Sequence, residues 1–352
     1  MEKSLFVRAC NGLQTPQTPI WLNRQAGRYM PDYHRVKGKT PSLDFFKNPE
    51  LSAEVTCDAQ RILGVDAAIL FADLLPILEP MGFELDYLPE IGPVIENPIR
   101  SLSGISSVKT QKSSESMPYI REAIKLIKSS LPNDIPLIGF GGAPFTLASY
   151  AIEGGSSKNY IHVKKLMSSH PKEFSALMHR ITDSVIDYLN YQILSGVDAI
   201  QIFDSWVGCL GVSDYEKHVY PHTKRLFQSL IKEVPVIHFG TGNPALLRLM
   251  AAAGGDVMAL DWRAPLNESW NDLGCKSIQG NLDPVALFGS EKSVIKAAKE
   301  ILDDVAGKPG HIFNLGHGIL PQTPLENVKT LVRVVKDYSS EVKTRHQYKL
   351  SS

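Results

Sequence analysis

The chain has 352 residues and balances 37 basic side chains against 37 acidic ones, for zero net charge. Hydrophobic residues make up 43% and charged residues 21%, a globular composition that excludes global disorder. Neutrality removes any overall pull toward nucleic acid or an anionic membrane, so an anionic ligand must be caught by a local basic patch.

Eight short apolar runs recur along the chain, each ending in a polar or glycine-rich cluster. The first is Pro19-Ile20-Trp21-Leu22. Asn48-Pro49 then opens a helix toward Ile62, and a Gly64-Val65-Asp66 turn leads into the second run, Ala67 to Phe71. The longest interval follows. It holds Met81 to Ser116, with Gly82, Pro89, Gly92, Pro93 and Pro98 and then a serine-rich stretch. This reads as an excursion made of a hairpin and a loose loop. The third run is Pro136 to Phe140. From Phe174, apolar residues at Leu177, Met178, Ile181, Val185 and Leu189 mark one helical face that stops at Gly196. A second Gly-Val-Asp turn, 196–198, enters the fourth run, Ala199 to Phe203. The rest are Pro235 to Phe239, Val257 to Leu260, Lys276 to Gln279 and His311 to Leu315. Thr323-Pro324-Leu325-Glu326 reads as a capping box with proline at the first helical position. His346 to Ser352 reads as a frayed tail.

Short runs of this kind suit strands buried on both faces of a parallel sheet. Eight of them alternating with helices predict an α/β fold, a (β/α)₈ TIM barrel, as one domain over 1–352. A doubly wound open sheet is the rival, and no G-x-G-x-x-G after an early strand supports its dinucleotide-binding form.

In such barrels the site forms at the C-terminal strand ends. Those ends hold Arg24, Gln25 and Arg28; Asp73; Gly141 to Tyr150; Asp204 and Ser205; His238; Asp261; Asn281 and Asp283; and His317. Arg24 and Arg28 flank Gln25-Ala26-Gly27, where glycine permits close backbone approach. Their guanidinium forks suit carboxylates or phosphates, or simply pair with surface acids. Asp73 serves either chemistry or the cap of a loop. Gly139, Gly141 and Gly142 fit an anion nest or a tight turn. Tyr150 fits core packing as well as a pocket, Ser205 a turn, and His317 between two glycines an exposed imidazole. The cysteines Cys10, Cys57, Cys209 and Cys275 are far apart and read as reduced thiols of a cytoplasmic protein. Residues 1–12 lack the apolar core of a secretory signal. Val65 to Leu78 is interrupted by charge and proline and is too short to cross a bilayer. No metal-ligand spacing, G-x-S-x-G or P-loop appears. The residues alone thus give a barrel enzyme for something acidic, and no reaction.

Arg24-Gln25-Ala26-Gly27-Arg28-Tyr29-Met30-Pro31 resembles the R-Q-A-G-R-Y-hydrophobic-P signature of the uroporphyrinogen decarboxylase family. Gly139 to Leu147 running to Tyr150, then Glu153 to Lys158, resembles its second signature. Phe203-Asp204-Ser205-Trp206 and Asn314-Leu315-Gly316-His317-Gly318-Ile319 resemble two further motifs. The resemblance covers about Leu13 to Val335, with Phe145 where the family usually has tryptophan and Ser157 departing in a loop. It implies a cytoplasmic homodimer of haem biosynthesis that converts uroporphyrinogen III to coproporphyrinogen III without metal or organic cofactor, and without nucleic-acid or membrane partners. It further implies that Asp73 reaches the pyrrole N–H groups. Arg24 and Arg28 would hold substrate carboxylates, one of them sharing in proton delivery. Gln25, Ala26, Gly27, Tyr150, Ser205 and His317 would complete the substrate pocket. Zinc methyltransferases on the same fold are a rival. They resemble H-x-C-G at the fifth strand, where this chain has His238-Phe239-Gly240. A tetrapyrrole carrier without catalysis and an unrelated phosphate-binding barrel are two others.

Overall fold

The computed structural model describes residues 4–88 and 91–351; side chains from 346 onward lie outside the description, as does Ser352. Seven of the eight apolar runs form one parallel sheet. In order these are β1 (Ala68–Ile69), β4 (Leu137–Gly142), β5 (Ala199–Asp204), β6 (Val236–Gly240), β7 (Val257–Ala259), β8 (Ser277–Gln279) and β9 (His311–Ile312). A separate antiparallel hairpin supplies β2 (Leu85–Leu88) and β3 (Gly92–Ile95). The first run closes the ring. Ile20 forms a parallel bridge to Phe313, just past β9. Its carbonyl accepts from the Asp66 N–H at 2.8 Å, and its N–H donates to Asp66 Oδ2 at 2.9 Å. Closure leaves the sheet no free edge, and the expected (β/α)₈ barrel is what the chain adopts.

The two Gly-Val-Asp turns have one physical role. Each aspartate stands at the base of a strand and accepts a backbone N–H from the neighbouring strand. Asp66 takes that of Ile20, and Asp198 takes Leu137 at 2.8 Å. Asp256, which no sequence pattern signals, does the same for Val236 at 2.8 Å. Lys336 and Lys128 pair with the first two at 2.8 and 2.6 Å. The two buried carboxylates among them, Asp66 and Asp198, are both hydrogen-bonded and paired, as burial requires.

Inside the barrel, Trp21, Ala67, Ile138, Ala199, Ile237, Val257, Ala259 and Ile312 fill the lower layers. The helix Leu5–Cys10, absent from the elements expected of the sequence, plugs the base. Phe6 stands edge-on to Trp21 at 6.5 Å, and Ser277 Oγ donates to the Ala9 carbonyl at 2.8 Å. A chain of amides crosses the middle of the barrel. Trp21 Nε1 donates to Gln279, Gln279 to Gln201, and Gln201 to Asn23, at 2.9, 2.9 and 3.0 Å. Phe140, Phe203 and Phe239 close the interior above, with successive centroids 5.8 and 5.7 Å apart.

The helices Pro49–Leu63 and Pro171–Ser195 form where expected. The first is capped by Asn48, whose Oδ1 accepts from Leu51 N–H at 2.9 Å, and the second ends at Gly196 with φ 108°. Three expectations change. Gly139, Gly141 and Gly142 form neither nest nor turn. They lie within β4, where Gly139 and Gly141 let the long helix Pro171–Ser195 pack closely through Gln192 and Leu189, and Gly142 makes room for Leu147 of the helix Pro144–Glu153. The capping box is not made. Thr323 Oγ1 is buried without a partner among the described residues, and the last helix begins at Leu325. The serine-rich stretch is not a loose loop, because short helices cover Leu102–Ser107 and Ser113–Ser116. The hairpin tip at Pro89 lies outside the described residues. The final helix, Leu325–Ser351, carries its backbone through most of the expected tail.

Candidate active site

Asp73 stands just past β1, on backbone held by the helix Pro49–Leu63. Ser52 Oγ donates to the Phe71 carbonyl at 2.6 Å, and Thr56 Oγ1 accepts from the Phe71 N–H at 3.0 Å. Asp73 Oδ1 accepts from the Leu75 N–H at 3.1 Å and from the Tyr87 hydroxyl at 2.7 Å. Among the described residues its Oδ2 has no hydrogen-bond partner, and the carboxylate is in no ion pair. One oxygen is therefore fixed and the other is open. Tyr87 comes from the hairpin excursion, and nothing in the sequence places it at the site. Burial, then the Asp73 charge, pushes its phenol well above the ordinary range, so it remains a donor.

Tyr150 sits half-buried on the helix Pro144–Glu153, its ring against Trp206 with centroids 3.7 Å apart. Burial raises its phenol most, Asp73 raises it further and Arg24 opposes, so the three groups share one local field. Trp206 is itself positioned. Asp204, at the end of β5, accepts from Thr146 Oγ1 at 2.8 Å, and Thr146 Oγ1 accepts the Trp206 N–H at 3.2 Å. Asp204 is fully buried; desolvation pushes its carboxyl up to about 7, against the Thr146 bond. Ser205 lies between them, half-buried, with its carbonyl accepting from Thr241 Oγ1 at 2.8 Å.

Arg24 is exposed and holds a left-handed backbone, φ 60°, unusual for a residue with a side chain. Its stem runs over Gly318, where an added Cβ would meet Arg24 Cγ at 2.8 Å and Nε at 3.0 Å. Gln25 is buried and held at both ends of its amide. Oε1 accepts from the Leu22 N–H at 3.1 Å, Nε2 donates to the Ala67 carbonyl at 3.1 Å, and its own carbonyl accepts from Tyr29 at 2.6 Å. Its side chain ties the first strand to the second through one amide N–H and the carbonyl oxygen. Ala26 and Gly27 are half-buried at the turn, and a Cβ added at Gly27 would stand 3.3 Å from the Arg24 carbonyl oxygen. Arg28 is exposed at the rim, and its carbonyl is 2.8 Å from His34 Nε2.

His317 lies half-buried beside Arg24. Burial, and then the Arg24 charge, pulls its imidazole down to about 4, with Asp261 opposing and Arg263 adding. It is neutral at neutral pH, so it can offer hydrogen bonds but no charge. It lines a cavity of about 330 Å³ with Thr241, Trp262, Arg263, Asp283 and Leu320.

The structure thus gathers Asp73, Tyr150, Arg24 and His317 around the barrel mouth, with Ser205 on the adjoining turn and Arg28 at the rim. His238 is excluded. It points outward from β6, fully buried against Phe227 with ring centroids 4.7 Å apart, and its Nδ1 lies 3.2 Å from the Met250 and Gly254 carbonyls. Strand parity carries this signal, since side chains alternate across a strand and Ile237 and Phe239 are the inward pair. Two residues on, a side chain at Gly240 would meet Met250 Sδ at 2.8 Å. Among the described residues no three His, Cys, Asp or Glu side chains converge as metal ligands would, and no helix is long and apolar enough to cross a membrane.

A family model described as uroporphyrinogen decarboxylase (URO-D) matches residues 1–338. The uroporphyrinogen decarboxylase of Carboxydothermus hydrogenoformans is 51% identical over 337 residues, 95% of this chain and 96% of its own. That of Geotalea uraniireducens is 49% identical, over 96% of this chain and 99% of its own. Among solved structures, a methyltransferase from Methanosarcina mazei superposes with TM-score 0.80 at 22% identity, covering 95% and 97% of the two chains; this is a likeness of fold. Together with the motifs now placed around one barrel mouth, these matches show that the chain belongs to the uroporphyrinogen decarboxylase family.

Proposed function

We propose that the chain decarboxylates the four acetate side chains of uroporphyrinogen III, giving coproporphyrinogen III and four molecules of CO₂. The observation that carries this reading is the carboxylate of Asp73, pinned through Oδ1, unpaired by any described cation and open through Oδ2 at the barrel mouth. Such a group suits pyrrole N–H donors and a cation that forms beside them.

The reaction needs an electron sink, and the pyrrole itself can provide it. A proton adds to a ring carbon and gives an iminium-like cation. The bond to the carboxylate then breaks, its electron pair flows toward the ring nitrogen, and CO₂ leaves. The exocyclic methylene takes up a proton to become methyl, and the ring carbon returns its own. Each cycle consumes one proton net and releases one CO₂. Asp73 stabilises the cation. Arg24 and Arg28 bind carboxylates, one of them sharing in proton delivery. Tyr150, Ser205 and neutral His317 hydrogen-bond the substrate periphery, while Gln25, Ala26 and Gly27 shape the turn that presents the arginines. No step calls on a metal or organic cofactor. The resemblance supports, in addition, a homodimer working in the cytoplasm, without nucleic-acid or membrane partners.

The zinc-methyltransferase alternative is disfavoured by Gly240, because Met250 occupies the space a cysteine would need there. Anaerobic incubation with reduced uroporphyrinogen III, followed by oxidation and chromatography, is the test. The proposal expects the eight-carboxylate species to be replaced by the four-carboxylate one. Tight binding without turnover would instead mark a carrier.

A further inference from the structure

Arg24 and Arg28 are two cations facing a substrate with eight carboxylates, and the structure offers a third that neither motif nor spacing singles out. Arg263 follows β7 on the loop beside His317, and its guanidinium is half exposed to the cavity of about 330 Å³. The group is fixed before any ligand arrives. Its Nη1 donates to Asp261 Oδ2 at 2.8 Å, its backbone N–H to Asp261 Oδ1 at 2.8 Å, and its Cζ lies 4.0 Å over the Trp262 ring. Asp261 is itself buried and accepts the Gly242 N–H at 2.6 Å.

The loop is anchored from both sides. Asn281 Nδ2 donates to the Asp261 and Ala264 carbonyls at 2.8 and 2.7 Å. Gly316 lets the His317 segment pack against it, since a Cβ there would collide with Trp262 N and reach the Asp261 carbonyl carbon at 3.0 Å. Among the described residues the Nε and Nη2 groups of Arg263 have no hydrogen-bond acceptor. An arginine held on one edge by a carboxylate, stacked on one face and bare on the other edge is preorganised for a second carboxylate.

We infer that Arg263 forms a third carboxylate subsite, which takes one peripheral side-chain carboxylate of the tetrapyrrole in the cavity it shares with His317. This rests on the reading of the chain as a decarboxylase of that substrate. The carboxylate belongs either to an acetate, lost in the reaction, or to a propionate, retained in the product.

The test compares wild type with Arg263→Gln and Arg263→Lys. Glutamine keeps a donor for Asp261 without the charge, and lysine keeps the charge without the fork. KM and kcat are measured for the octacarboxylate, alongside the dissociation constants of octacarboxylate and tetracarboxylate porphyrinogens by anaerobic fluorescence. For Arg263→Gln the octacarboxylate is expected to bind about tenfold more weakly, the worth of one charge-assisted contact. kcat should stay within about twofold and kcat/KM should lose part of its salt dependence, with lysine intermediate. If the tetracarboxylate also weakens, the subsite holds a propionate; if only the octacarboxylate weakens, it holds an acetate. Wild-type affinities and an unchanged salt slope in folded Arg263→Gln would overturn the inference. So would a loss of kcat and thermal stability with affinity unchanged, which would mean that Arg263 only supports the loop. Wild type that binds the octacarboxylate but releases no CO₂ would refute the decarboxylase reading, while the affinity comparison would still judge the subsite.

Discussion

In the proposed reaction, Asp73 and the Tyr87 that holds it are the pair on which the chemistry turns. The phenol donates to Oδ1 at 2.7 Å and fixes the carboxylate, leaving Oδ2 open at the barrel mouth. Asp73→Asn keeps the size and removes the charge, and its amide would present N–H₂ to pyrrole donors. Charge-assisted hydrogen bonds are worth roughly 1.5–3 kcal/mol each. Loss of two such contacts therefore lowers kcat by about a hundredfold or more, at ~1.4 kcal/mol per factor of ten. Asp73→Glu keeps the charge and should be impaired less. Both variants should fold, as circular dichroism would check, because Asp73 is half-buried at an open mouth. If folded Asp73→Asn retains kcat within a fewfold of wild type, Asp73 merely caps its loop. Asp73 is visible in the sequence because an apolar strand runs directly into it. Tyr87 has no such signal. It lies 14 residues away on a hairpin outside the βα alternation, and only the folded excursion brings it over the barrel mouth. Arg263 is hidden for a different reason: alone on a loop, it gains meaning from Asp261, Trp262 and Gly316, which meet it in space.

At the level of elements, the glycines of the His317 segment set the site's geometry. Gly318 gives the Arg24 stem its channel, and a methyl there would push on Cγ and Nε. Gly318→Ala is therefore expected to lower kcat/KM about tenfold or more by turning the guanidinium aside, since small misplacements of a positioning group are costly. Thermal stability should fall far less, because Arg24 is exposed. Steady-state kinetics beside a thermal melt would check this, and wild-type kcat/KM would show that Arg24 reaches its ligand by another path. The strands are legible because runs buried on both faces stay apolar, whatever the helices outside them do. The helix Leu5–Cys10 is not. It spans six residues, too short for a periodic pattern, and is fixed by Phe6 on Trp21 and Ser277 on its carbonyls. The serine-rich excursion resembles a loop for the converse reason: its short helices draw order from tertiary contacts, Ile105 packed in the core and the Ser113 N–H donating to Asp187 Oδ2 at 2.6 Å, and not from their own propensity.

For the molecule as a whole, closure puts the ends of all eight strands at one mouth, so motifs as far apart as Arg24 and His317 meet there. The Ile20 bridge to Phe313 makes them neighbours. The candidate site is therefore legible to the extent that it lies on strand ends, and it is hidden where the hairpin or a tertiary contact contributes. In the proposed reaction this chain's own side chains, with the pyrrole as electron sink, suffice for decarboxylation. Protein dialysed exhaustively against chelator, shown metal-free by elemental analysis, should be incubated anaerobically with reduced uroporphyrinogen III, and the carboxylate number of the product counted. Complete conversion to the four-carboxylate product at the rate of untreated protein is expected. Loss of activity restored by zinc or another metal, or an octacarboxylate left intact by folded protein, would contradict it.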